Sequence, residues 1–119
     1  MAQDRSADVI VPVTLGGPAM LGRLRAILEC SGPALRRLLV VDDGCGDRVL
    51  APGLAELAET DDRLQIVRCP RGLNWADYAN RGLTERRGDV VLLAPDARPS
   101  PGWIEPLVEA ARSEERVAL

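Results

Sequence analysis

Leu38-Leu39-Val40-Val41-Asp42-Asp43-Gly44 is an unbroken aliphatic run that stops on two carboxylates and a glycine. Consecutive large aliphatic residues leave no polar side for solvent, which marks a strand buried on both faces, as in parallel sheets. Asp-Asp-Gly then supplies a tight turn at the carboxyl end of that strand. The pattern recurs on either side: Val9-Ile10-Val11-Pro12-Val13 upstream, then Leu64 to Val67 with Gln65 inside the run, then Val90-Val91-Leu92-Leu93.

The segments between these runs carry helical spacing. Leu21, Leu24, Ile27 and Leu28 share one helical face, with Pro18 placed to open the helix and Gly32-Pro33 to close it. A second helix is predicted from Val49 to Glu59, with Leu50, Leu54, Leu57 and Ala58 apolar. A third is predicted from Trp75 to Arg87, turning Tyr78, Ala79 and Leu83 inward. Ser100 is the expected N-cap of a fourth, with Pro101 at its first position and Trp103, Ile104, Leu107 and Val108 following. Val117-Ala118-Leu119 reads as the start of a fifth strand. Strands alternating with helices predict an α/β fold, a three-layer Rossmann-like parallel sheet with right-handed crossovers, formed by residues 1–119 as a single domain. Ending at the start of a strand predicts a piece of a longer protein.

Composition narrows the function. The chain has 119 residues, 46% hydrophobic, with Trp75, Trp103 and Tyr78 as its aromatic residues, so the core is aliphatic. All 15 basic residues are Arg, and the net charge of -3 argues against a nucleic-acid partner, which requires a clustered basic face. Arg36-Arg37 and Arg86-Arg87 adjoin acidic residues and read as solvated element ends. The absence of His excludes Ser-His-Asp and Cys-His catalysis within the chain, as well as imidazole metal sites. Cys30, Cys45 and Cys69 show no metal-ligand spacing and read as reduced thiols of a cytoplasmic protein. No apolar stretch is long enough for a membrane segment. An unfinished sheet would leave apolar surface open to self-association.

Open parallel sheets bind ligands at the carboxyl ends of their strands. Those ends are Val13-Thr14-Leu15, Asp42-Asp43-Gly44, Arg68 to Arg71, and Ala94-Pro95-Asp96, and carboxylates follow two of the four. A nucleotidyltransferase would need a basic Gly-rich loop after the first strand. Leu15-Gly16-Gly17-Pro18-Ala19-Met20 has the glycines but no basic residue before Arg23.

Four blocks in order resemble family 2 glycosyltransferases. Val11-Pro12-Val13 is similar to the family's I-P-x-Y-N, and Val40-Val41-Asp42-Asp43-Gly44 with Asp47 to its V-V-D-D-G-S-x-D. Asn80-Arg81-Gly82-Leu83 ahead of Arg87-Gly88-Asp89-Val90-Val91-Leu92-Leu93 resembles its N-x-G-L and R-G-D runs. Asp96 with Pro101-Gly102-Trp103-Ile104 resembles the segment that closes on the family's D-x-D.

The resemblance implies a truncated GT-A fold whose first half binds a nucleotide-sugar donor, UDP-linked or another. It implies that Asp43 accepts a hydrogen bond from the base, that Pro12, Val13 and Thr14 line base and ribose, and that Asp42 and Asn80 belong to the same site. Asp96 would hold a divalent cation, Mg²⁺ or Mn²⁺, against the diphosphate. Ala94 stands at the first position of the acidic motif and weakens that site; Thr14 stands where the family has an aromatic residue. Transfer would invert the anomeric carbon and require a general base on the acceptor hydroxyl. The resemblance puts that base beyond Leu119, so no catalytic residue is expected here and the isolated chain would not turn over. The rival expectation is a degenerate, non-catalytic binding or interaction domain that keeps the fold.

Overall fold

The computed structural model describes residues 6–13, 18–42, 50–70, 74–84, 88–94, 97 and 99–113. Strands β1 (Ala7–Val13), β2 (Leu35–Asp42), β3 (Leu64–Arg68) and β4 (Val90–Leu92) form one all-parallel sheet in the order β3-β2-β1-β4. Helices α1 (Pro18–Cys30), α2 (Leu50–Thr60) and α3 (Trp75–Leu83) make the crossovers, and α4 (Ile104–Ser113) follows β4.

The order of the strands assigns the helices to faces. Going from β1 to β2 to β3 runs in one direction, so right-handed crossovers put α1 and α2 on the same side. Returning from β3 to β4 reverses direction and puts α3 on the other. The packing agrees. Val9, Val11, Val13, Leu38 and Val40 form one core with Leu24 of α1, Leu54 of α2 and Ile104 of α4. Ile10, Leu39 and Val41 form the second with Tyr78 of α3. Gly82 lets α3 lie close to the sheet: a Cβ there would stand 2.6 Å from Ile10 Cγ2.

Three elements depart from the expected boundaries. The fourth helix starts at Ile104 rather than Pro101, because Gly102 takes a left-handed φ of 72° that no right-handed helix continues. Pro101-Gly102 is a turn instead, and Trp103 follows it as an anchor. The third helix ends at Leu83, where the Thr84 N–H bonds the Asn80 carbonyl; residues 85–87 lie outside the described set, as does the Val117–Leu119 strand. Arg36-Arg37 is not a solvated element end. Both residues are half-buried inside β2, where the β1–β2 register shifts so that Ala7 faces Leu35 while Asp8 faces Arg37. That bulge turns both guanidinium groups toward the enclosed Asp8 carboxylate. Arg86-Arg87 lies outside the described residues. Among the described residues no helix is long and apolar enough to cross a membrane.

Candidate functional site at the carboxyl edge of the sheet

The strand order reverses between β1 and β4, and the crevice at such a reversal, beyond the carboxyl ends, is where sheets of this kind take ligands. Backbone chemistry decides where the pairing ends at that reversal. The β1–β4 ladder pairs Asp8 with Val90, Val9 with Val91 and Ile10 with Leu92. Its outermost bonds run from the Asp8 N–H to the Asp89 carbonyl and from the Leu93 N–H to the Ile10 carbonyl, both 2.9 Å. In this alternation the next rung would be donated by the N–H of residue 12 to the Leu93 carbonyl. Residue 12 is proline and has no N–H. The β1–β4 ladder therefore stops, while β1 stays registered with β2 through Pro12–Val41 and Val13–Asp42.

Asp42 ends β2 directly across from Val13. Alternation sends its side chain to the α1/α2 face with Leu38 and Val40, and it is buried. Arg68, its register partner at the end of β3, reaches Asp42 Oδ2 with Nη1 at 3.5 Å while remaining 76% exposed. The Cys69 N–H bonds the Asp42 carbonyl at 2.9 Å. Buried Pro12 and Val13 point to opposite faces. The structure thus brings Pro12, Val13 and Asp42 together at one edge. Thr14, Asp43 and Asp96 lie outside the described residues.

Asn80 is placed differently. It sits on the solvent side of α3 and lines a concavity of about 380 Å³ with Asp77, Arg81 and Thr84. Tyr78, Ala79 and Gly82 take the inward side of that helix. The sheet therefore separates Asn80 from the Asp42 side chain. Another concavity of about 380 Å³ runs along α1, lined by Ala19, Gly22, Arg23, Ala26, Ala97 and Pro99, so Ala97 and Pro99 lie near α1. The Gly102 N–H reaches the Cys30 carbonyl at the end of the same helix.

Sequence reasoning missed the Asp42–Arg68 contact. Each residue is visible as a strand end, but their pairing depends on the β2–β3 register, which no local pattern encodes. Among the described residues no group of three acidic, thiol or imidazole side chains stands together to hold a metal ion.

No curated protein matches the chain. The model of the family described as glycosyl transferase family 2 matches residues 8–119, from the buried Asp8 of β1 onward. That span contains the whole four-stranded sheet apart from Ala7, and with its all-parallel, helix-flanked, Rossmann-like GT-A architecture the chain belongs to glycosyltransferase family 2.

Proposed function

We propose that this domain binds the nucleoside diphosphate of an activated sugar at the carboxyl edge of β1, β2 and β4, for inverting transfer to an acceptor hydroxyl. The observation supporting this reading is the position of Asp42. It ends β2 level with Val13, at the carboxyl end of the strand beside β1, and is followed directly by Asp43 in the sequence. An ionised carboxylate is an acceptor only, which suits Asp43 to the imide N–H of a uracil. Val13 and Thr14 would border base and ribose, with Pro12, whose ring is buried, shaping the strand end that carries them. A divalent cation would rest on Asp96 and the donor's own phosphate oxygens, and when bound it would neutralise charge on the departing diphosphate. The general base for the acceptor lies outside this chain in this reading, so the 119 residues bind donor without turnover.

Calorimetric titration with UDP and Mn²⁺ tests the proposal. Saturable binding is expected, weakened roughly tenfold or more by Asp43→Ala and by Asp96→Ala. One observation favours the second reading, a non-catalytic GT-A-like interaction domain: Ala94, exposed just past the end of β4, stands where the family's acidic motif begins. Absence of saturable UDP binding by the unaltered chain would select that reading.

A further inference from the structure

Resting on the donor-site reading, we propose that Pro12 is a positioning residue that keeps the β1–β4 crevice open by withholding one backbone hydrogen bond. The local sequence makes proline the exception. Val9, Ile10, Val11 and Val13 are all β-branched, the residues that suit a central strand, and β1 is paired on both sides. Proline inside a central strand forfeits a ladder bond. Here the forfeited bond is the one from residue 12 to the Leu93 carbonyl, the rung directly above the Leu93–Ile10 bond. On the other side nothing is lost, because Val11 and Val13 make the bonds toward β2 and the register continues to Asp42.

The consequence is local. The β1–β4 register ends at the Ile10–Leu92 pair, with Leu93 N–H to the Ile10 carbonyl as its last bond, at the place where the strand order reverses. The Pro12 ring is itself buried. A packed ring has little surface to offer a ligand, so its contribution to the site comes through the missing N–H. A residue with an N–H would add a rung, draw the Leu93–Ala94 stretch against β1 and oblige an incoming nucleoside to break that bond. One net backbone hydrogen bond corresponds to a factor of roughly ten in an equilibrium.

The test uses two variants of the full chain. Pro12→Val restores the N–H with a side chain suited to the strand. The second variant, made by semisynthesis, carries α-hydroxyisovalerate at position 12, which has the valine side chain and an ester oxygen in place of the N–H. The Pro12→Val chain is expected to bind UDP with Mn²⁺ roughly tenfold more weakly than the unaltered chain, and its new backbone amide at position 12 is expected to be protected from hydrogen exchange. The ester variant, which shares the valine side chain and differs only in lacking the N–H, is expected to bind more tightly than Pro12→Val. Unchanged affinity in Pro12→Val, an unprotected amide at position 12, or an ester variant as weak as Pro12→Val each overturns the proposal while leaving the donor site standing. Failure of the unaltered chain to bind UDP overturns the donor-site reading and this proposal with it.

Discussion

The Asp8 carboxylate, fully enclosed, is gripped at both oxygens by Arg37: Nη2 lies 2.8 Å from Oδ2 and Nε lies 3.3 Å from Oδ1. Arg36 adds a second guanidinium, with Nη1 3.8 Å from Oδ1. Two successive strand residues normally point to opposite faces, so their convergence depends on the bulge that shifts the β1–β2 register. Gln65 of β3 accepts from Arg37 Nη1 at 3.2 Å, tying three strands together at their amino ends, away from the candidate site.

Breaking this pair should cost more than replacing it. Asp8→Asn keeps the shape and removes the charge, leaving two arginines facing a neutral amide. Loss of one partner of a buried pair costs about 3–5 kcal/mol. The partial exposure of Arg36 and Arg37, 25% and 13%, places the expectation at the lower end of that range. An Asp8→Val, Arg37→Leu double variant should recover part of the loss, because it removes the Arg37 charge together with its partner and leaves Arg36, the more exposed of the two, on its bonds to Ser6. Urea denaturation of the single and double variants measures both.

Two helical glycines should respond oppositely to alanine. Gly22 of α1 has nothing within 4 Å of the place its Cβ would occupy. Gly22→Ala should therefore raise stability by about 0.5–1 kcal/mol, the helix-propensity gain alone. Gly82→Ala would thrust a methyl group to 2.6 Å from Ile10 Cγ2, in the central strand. Overpacking costs about 1–3 kcal/mol, which outweighs the propensity gain, so this variant should lose stability. A rise of both urea midpoints would contradict the close approach of α3.

The contrast between these glycines shows what the sequence makes legible. Continuous aliphatic runs announce β1 and β2 because a strand buried on both faces has no polar side to show; the same kind of run marks β4, although Leu92 there is exposed. Pro18 announces the start of α1, and the spacing of Tyr78 and Ala79 announces the inward side of α3. Features set by register or by backbone sign stay hidden. The Arg36-Arg37 pair looks like a solvated end until the bulge is known, and Pro101 looks like a helix start until Gly102 adopts positive φ. At the site, Pro12, Val13 and Asp42 follow from where the runs end. The separation of Asn80 from Asp42 follows from which face α3 covers, a property of the crossover and not of any motif. Thr14, Asp43 and Asp96 lie outside the described residues.

Acid should weaken the fold in part through Asp61. A side-chain hydrogen bond from Arg63 holds the Asp61 carboxyl below its usual range, against a smaller opposing effect of burial. Arg63 Nη2 lies 2.8 Å from Asp61 Oδ2 and also donates to the Leu28 carbonyl at 2.9 Å, putting a cation at the carboxyl end of α1. A carboxyl whose folded pKa is depressed contributes stability above its unfolded value, about 4, and loses it as pH falls through the folded value. Both side chains are partly exposed, 31% and 23%, so the contribution is about 1 kcal/mol or less. Asp61→Asn should lower stability at pH 7 by that amount and flatten its decline below about pH 4; an unchanged slope of stability against pH in that variant would refute the linkage.

The turn before α4 should be held by one side-chain bond. Trp103 Nε1–H donates to Ser31 Oγ at 2.7 Å, and the buried Ser31 hydroxyl donates in turn to the Ile27 carbonyl near the end of α1. Ser31→Ala would leave the indole N–H without that acceptor and cost about 1–2 kcal/mol. Trp103→Phe removes the same bond from the other side, together with some packing against the core. Because both variants delete one shared interaction, the double variant should cost less than the two singles added, with a coupling of about 0.5–1.5 kcal/mol. The stretch between β4 and α4 includes Asp96, so loosening its Trp103 anchor should also weaken UDP binding in the presence of Mn²⁺ more than in its absence. Strict additivity of the two stability losses would mean that the indole rests against α1 by packing alone.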